Sequence, residues 1–172
     1  FGLLAVCGSY YLQTKQFDAT VWWFAVAIGA LSVGVLNLNN MRDIQNDTAM
    51  GKKTVAAALG LQGAKNYHTV LILVGIASMV FGLVPIANNM WDYLPLILTI
   101  PLLLQLISVR KTNHYNDFDK RLKPLALTTF GLSVIFCTKT PEPTVLLYSK
   151  QLLHCAHCWL AQVHLHQIFH KY

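Results

Sequence analysis

The chain has 172 residues, of which 55% are hydrophobic and only 12% are charged. Soluble domains usually contain about a quarter charged residues, so this composition favours a membrane protein. The net charge of +6 does not indicate a nucleic-acid partner, because the basic residues are gathered in polar stretches between apolar segments, as in a polytopic protein.

Apolar segments separated by polar connections predict a series of membrane helices. The first segment is expected to be the end of one spanning helix, and small residues in the second, such as Gly29, Ser32 and Gly34, should permit close helix contacts. Pro101 is expected to kink the fourth helix. The predicted fold class is therefore all-α, a polytopic transmembrane helical bundle, with helices over residues 1–12 and about 20–40, 64–84, 93–109 and 124–137.

Two aspartates lie at the end of the second apolar segment. On a helix, Asn39, Asp43 and Asp47 recur every fourth residue, so their oxygens share one face. Charge beside a bilayer core is expensive and is usually retained for function. Hard oxygen ligands suit Mg²⁺, and Lys52 and Lys53 follow closely enough to meet a phosphate group. The segment predicts a magnesium–phosphate site, with Asp43 and Asp47 as the metal ligands.

Basic residues are concentrated in two polar stretches, residues 42–65 and 110–123, whereas the intervening connections are nearly uncharged. The positive-inside rule therefore predicts that these two stretches, and the acidic motif with them, face the cytoplasm. The second stretch also contains a small cluster, His114, Asp117 and Asp119, which we interpret as a solvated loop.

The last part of the chain differs in character from the rest. Residues 139–172 contain five of the seven histidines, and one hypothesis is that translation leaves the ancestral frame near Cys137. Cys155, Cys158 and nearby histidines have a spacing that zinc could use, whereas the apolar residues of 152–163 are also consistent with a helix lying on the membrane. At the other end, the chain opens inside an apolar stretch, so we expect it to be a fragment.

Residues 39–47, Asn-Asn-Met-Arg-Asp-Ile-Gln-Asn-Asp, followed by Gly-Lys-Lys-Thr at 51–54, closely resemble the second aspartate-rich motif of the UbiA superfamily of membrane prenyltransferases. The form of the motif is most similar to the branch that acts on 1,4-dihydroxy-2-naphthoate in menaquinone biosynthesis. The resemblance covers about residues 1–137 and is specific over residues 36–60.

This resemblance implies the C-terminal half of a nine-helix bundle, with residues 1–138 as one domain and 139–172 as an atypical tail. It implies Mg²⁺ held by Asp43 and Asp47 as catalytic groups, and a polyprenyl diphosphate contacted by Arg42, Lys52, Lys53 and Asn39. The acceptor would be 1,4-dihydroxy-2-naphthoate, the product demethylmenaquinone, and the location the bacterial plasma membrane. Because the first acidic motif of the family is absent, the fragment alone is expected to be inactive.

Other functions remain open at this stage. A transporter or channel could use Asp43 and Asp47 to bind a passing cation, and another aromatic prenyltransferase of the same superfamily would carry similar residues. A phosphatidyltransferase is less well supported, because the Asp-Gly-x-x-Ala-Arg motif expected of that family is not present.

Overall fold

The computed structural model describes residues 2–17 and 19–139, and every regular element within them is helical. This confirms the predicted all-α fold class. The predicted atypical tail over 139–172, with its zinc and surface-helix alternatives, lies almost wholly outside the described residues. In chain order, the elements are a π-helical turn (Leu3–Cys7), α1 (Gly8–Thr14), α2 (Ala19–Ala49), α3 (Val55–Leu83), a 3-10 helix (Met90–Leu98), α4 (Thr99–Lys111), a second 3-10 helix (Tyr115–Phe118) and α5 (Asp119–Lys139).

Three segments of the described chain are long and apolar enough to cross a bilayer: Ala19–Ala49, Val55–Leu83 and Met90–Lys111. A spanning helix needs about 20 apolar residues, and each of the three exceeds this length. The chain is therefore an integral membrane protein, as the distribution of charge predicted.

The helices α2 and α3 form the most extensive contact of the bundle. Small residues on each helix face bulky side chains on the other: a Cβ added to Gly75 would lie 3.1 Å from the side chain of Leu31, and one added to Gly82 would lie 3.0 Å from the ring of Phe24. The predicted close approach at Gly34 is confirmed, since the ring of His68 packs against it. Close backbone approach of this kind is the usual way in which helices associate in lipid.

Residues of α4, α5 and the second 3-10 helix join those of α2 and α3 in one hydrophobic core. Phe118 is completely buried at the centre of this contact. The α2–α3 connection and the α4–α5 connection consequently lie at the same end of the bundle, where they bring the two basic stretches together. The largest apolar side chains that are fully buried in this core are Leu38, Met41, Ile72, Leu102, Phe118 and Leu125.

The acidic motif lies within the spanning helix rather than beyond it. The sequence predicted a helix to about residue 40 and a long connection after it, but α2 continues to Ala49 and α3 begins at Val55. The true connection is residues 50–54. The segment beyond Thr54 is helical, although Gly60 (φ 67°, ψ 173°) interrupts the regular helix of α3.

The fourth predicted helix divides into a 3-10 helix and an α-helix, so Pro101 does not lie in the middle of one continuous α-helix as the sequence predicted. Pro95 lies inside the 3-10 helix, and the α-helix begins only at Thr99. Pro101 therefore falls in the first turn of α4, where backbone N–H groups lack a partner within the α-helix in any case. A proline is tolerated there without bending the helix.

Candidate functional site

The predicted acidic face is built on a single, unbroken helix. Asn39, Asp43 and Asp47 all lie within α2, so their spacing of four residues places them on one side of it. Asn39 and Asp43 are partly buried and Asp47 is buried. Asn37, two residues before this face, points elsewhere and donates a hydrogen bond to the Ala64 carbonyl at 2.9 Å.

Arg42 joins two carboxylates that are far apart in the sequence. Its Nε and Nη2 donate to Oδ1 and Oδ2 of Asp43 at 2.8 and 2.9 Å, so both oxygens of that carboxylate are engaged. Its Nη1 donates to Oδ1 of Asp119 at 3.0 Å. Asp119 is the first residue of α5, so this ion pair fastens α5 to the acidic face of α2.

Asp47 is paired with a lysine because of the way in which α2 ends. The N–H of Lys52 donates to the carbonyl of Asp47 at 2.8 Å and the N–H of Gly51 to that of Thr48 at 3.2 Å, a Schellman arrangement. Gly51 has φ 70°, the left-handed conformation that such an ending requires. The chain therefore reverses at Gly51, and the Lys52 ammonium lies 3.5 Å from Oδ1 of Asp47.

The sequence Gly-Lys-Lys-Thr at 51–54 also begins the next helix. The hydroxyl of Thr54 accepts from the N–H of Ala57 at 3.1 Å and so caps α3. Lys53, between the two helices, is exposed and makes no ion pair with any described residue. The motif thus ends one helix, starts the next and places the ammonium of Lys52 beside Asp47.

The cluster interpreted as a solvated loop divides in the structure. Asp117 is exposed and accepts from Lys120 at 3.0 Å, an interaction that lowers the pKa of the Asp117 carboxyl. His114 is likewise exposed. Asp119, in contrast, reaches Arg42, and sequence reasoning did not assign it to the site. Its position just before the apolar segment of α5 gave no signal of a partner 77 residues away.

Several polar side chains are buried between the helices near this end. Lys65 is only 3% exposed, and its ammonium donates to the carbonyl of Arg110 at 3.3 Å and to Oδ1 of Asn113 at 3.1 Å. His68 is fully buried beside Gly34 and Gln105, and neither of its ring nitrogens completes a hydrogen bond. Polar residues inside apolar segments were the available sequence signal, but none of these was singled out.

The oxygens of this face are the described atoms best suited to a divalent cation. No group of three or more His, Cys, Asp or Glu side chains is placed to hold a metal within residues 2–17 and 19–139. Asp43 and Asp47 provide two carboxylates and Asn39 an amide oxygen. Mg²⁺ commonly takes one or two carboxylates and completes its octahedron with water and phosphate, so this donor set fits it.

Comparison with known proteins places these residues in a family. The chain matches the UbiA prenyltransferase family over residues 1–135. It is 41% identical over 137 residues to a 1,4-dihydroxy-2-naphthoate octaprenyltransferase of Haemophilus influenzae, covering 79% of this chain and 44% of that protein. A protein of the same name from Escherichia coli is 35% identical over 105 residues, 61% of this chain and 34% of that protein.

A eukaryotic relative is also similar. UbiA prenyltransferase domain-containing protein 1 of Dictyostelium discoideum is 30% identical over 135 residues, which cover 78% of this chain and 40% of that protein. The chain thus spans less than half the length of these curated relatives. No solved structure matches it. Because the family match covers residues 1–135 of 172, and the helical membrane bundle carries the motif of that family, the chain belongs to the UbiA prenyltransferase family.

Proposed function

We propose that this chain takes part in transfer of a polyprenyl group from polyprenyl diphosphate to 1,4-dihydroxy-2-naphthoate, which gives demethylmenaquinone. The observation that supports this most directly is the pairing of the acidic face of α2 with Arg42 and Lys52 at the end of a spanning helix. The names of the bacterial relatives suggest the substrate class. The first acidic motif that the family resemblance implies would complete the site.

Asp43 and Asp47, with Asn39, are the residues that would hold Mg²⁺. When bound there, the ion would supply charge neutralisation for the departing diphosphate. Both carboxylates are already matched with cations, Asp43 with Arg42 and Asp47 with Lys52. These cations would therefore turn from the carboxylates to the diphosphate oxygens, where positive charge stabilises the anion that develops as the allylic C–O bond breaks.

The helices would protect the reactive fragment that remains. Breaking the C–O bond leaves an allylic cation and free diphosphate, and water would quench that cation. The apolar surfaces of α2, α3 and α4, which are long enough to lie in the bilayer, would keep bulk water away from the prenyl group. The ring carbon of the acceptor would form the new C–C bond, and its carboxylate would leave as carbon dioxide.

We further propose that the site opens to the cytoplasmic side of the bacterial plasma membrane. The two stretches that contain the α2–α3 and α4–α5 connections, residues 42–65 and 110–123, lie together at one end of the bundle and carry nine of the 13 lysines and arginines. Trp23 and Phe81, with ring centroids 5.2 Å apart, lie at the opposite end. This asymmetry supports the positive-inside orientation predicted from the sequence.

The position of the aspartates disfavours the transporter alternative. Secondary transporters generally bind their ions near the bilayer midplane, often at broken helices. Asp47 lies in the last turn of α2, immediately before the Schellman ending that brings Lys52 to it. The guanidinium of Arg42 and the ammonium of Lys52, which lie against the two carboxylates, are better suited to meet a diphosphate than a cation in transit.

A chimera tests this proposal. The chain replaces the matching segment of the Haemophilus influenzae relative in a bacterial strain that lacks its own 1,4-dihydroxy-2-naphthoate prenyltransferase, and demethylmenaquinone is measured by mass spectrometry. The expected result is Mg²⁺-dependent product formation that is lost, at least a hundredfold, in D43N and D47N. The exposed Asp117, changed to Asn, is the matched control and should retain activity. Full activity in both D43N and D47N would refute the assignment.

A further inference from the structure

The contacts of Arg42 raise a question about how a metal reaches Asp43. Both oxygens of Asp43 accept from the same guanidinium, at 2.8 and 2.9 Å. A metal ion that binds this carboxylate must displace at least one of those hydrogen bonds. The displacement leaves a cation that is only partly exposed, 18% at the side chain, in need of another partner.

Asp119 is placed to provide that partner. It already accepts from Nη1 of Arg42 at 3.0 Å through Oδ1. Its side chain is 51% exposed, and its other oxygen accepts no hydrogen bond from the residues that the structure describes. A carboxylate can accept two parallel N–H groups from one guanidinium, which is the stronger arrangement. The single bond to Asp119 can therefore become a double one when Arg42 leaves Asp43.

We propose that Asp119 is a positioning residue for the metal–diphosphate site: it receives Arg42 when Asp43 turns to the metal. The exchange keeps the guanidinium at the acidic face, where it can also meet a diphosphate oxygen, rather than letting it move into solvent. This inference rests on the proposed function, since it assumes that Asp43 binds a divalent cation.

The structure also explains why Asp119 holds a fixed position. It is the first residue of α5, and the preceding residue, Phe118, is completely buried against the core that includes α2. Asp117, two residues earlier, is exposed and pairs with Lys120 instead. Two aspartates of one short segment thus differ in their contact with Arg42, which provides a matched control.

The test uses the full 172-residue chain in lipid nanodiscs, with Mn²⁺ as a paramagnetic substitute for Mg²⁺ and inorganic diphosphate present. Free Mn²⁺ is followed by electron paramagnetic resonance. We expect D119N to raise the Mn²⁺ concentration for half-saturation by about three- to tenfold, and D117N to leave it unchanged. D119E should restore most of the affinity, since it returns a carboxylate within reach of Arg42.

The same titration in an R42Q background separates positioning from simple loss of negative charge. If Asp119 acts through Arg42, D119N should cause no further change when Arg42 is already replaced. A shift of equal size in both backgrounds, or D119N values equal to those of D117N, would overturn the inference. Size-exclusion profiles of each variant confirm folding. If D119N fails to fold, the Mn²⁺ affinity of D119E is compared with that of the unsubstituted chain instead.

Failure of the proposed function gives a different pattern. Mn²⁺ binding that is absent from the unsubstituted chain, or that persists undiminished in both D43N and D47N, overturns the metal site and this inference with it. Binding that is lost in D43N but indifferent to Asp119 overturns the positioning role alone.

Discussion

The ammonium of Lys65 donates to Oδ1 of Asn113 at 3.1 Å and so joins α3 to the α4–α5 connection. The lysine is buried within a spanning helix, whereas Asn113 is exposed. A buried ammonium is tolerated only when its protons are hydrogen-bonded. The second acceptor, the carbonyl of Arg110 at 3.3 Å, lies at the end of α4, so Lys65 fixes the end of this helix and the start of the connection together.

This arrangement predicts that loss of the acceptor Asn113 destabilises the protein more than loss of Lys65 itself. N113A leaves a buried charge with one acceptor fewer and should lower stability by about 1–2 kcal/mol. K65M removes the charge and keeps an apolar chain of similar length, which should cost less. Apparent Tm values in nanodiscs measure both, with the exposed Lys111, changed to Met, as the control. A larger loss in K65M than in N113A would contradict this explanation.

The two glycines with positive φ should respond differently to alanine. Gly60 (φ 67°, ψ 173°) has a conformation that is essentially confined to glycine, so G60A should cost roughly 1–3 kcal/mol. Gly51 (φ 70°) ends α2, where alanine should cost about 1–2 kcal/mol. At both positions an added Cβ would lie in open space, with no contact within 4 Å beyond the adjoining backbone.

Gly8 provides the comparison for these two variants. It also has open space around an added Cβ, but its φ is −64° and its backbone is helical. G8A should therefore be neutral or slightly stabilising. Thermal unfolding of the three variants should rank G60A as the least stable and G8A as the most stable. Equal Tm values for G8A and G60A would show that the positive φ of Gly60 does not determine the stability of the alanine variant.

Lys52 and Lys53 are adjacent in the sequence but should contribute unequally to diphosphate binding. Lys52 lies 3.5 Å from Asp47, whereas Lys53 is exposed and has no ion pair among the described residues. K52A should weaken binding of farnesyl diphosphate about tenfold, a change of about 1.4 kcal/mol. K53A should change it by less than about threefold, as is usual for an exposed cation. Isothermal titration of the chimera at saturating Mg²⁺ measures both, and equal losses would argue against a special role for Lys52.

The cap of α3 gives a further prediction. The Thr54 hydroxyl accepts from the Ala57 N–H at 3.1 Å, so T54A leaves that N–H without its partner and should cost about 1 kcal/mol. Serine retains the hydroxyl, and T54S should remain within a few tenths of a kcal/mol of the original chain. The apparent Tm in nanodiscs distinguishes them. Equal stability of T54A and T54S would show that the hydroxyl does not cap the helix.

Local patterns in the sequence were sufficient to predict the helices and the composition of the acidic face. The length of an apolar run decides whether a helix can cross a bilayer, and a spacing of four residues decides which side chains share its face. Both depend on neighbours along the chain, so the spans and the alignment of Asn39, Asp43 and Asp47 were predictable. The ends of the helices were harder to predict. The helix α2 continues past the end of the apolar run to Ala49, because it is the left-handed turn at Gly51 that ends it.

The tertiary structure decided which charged groups meet. Nothing in the pattern around Asp119 distinguishes it from Asp117, yet one contacts Arg42 and the other Lys120. The sequence likewise does not show that Lys65 is buried between helices whereas Lys53 is exposed. The physical reason is that the environment of a charge depends on which helices pack around it. That packing is set by close contacts, such as those at Gly34 and Gly75, between residues distant in sequence.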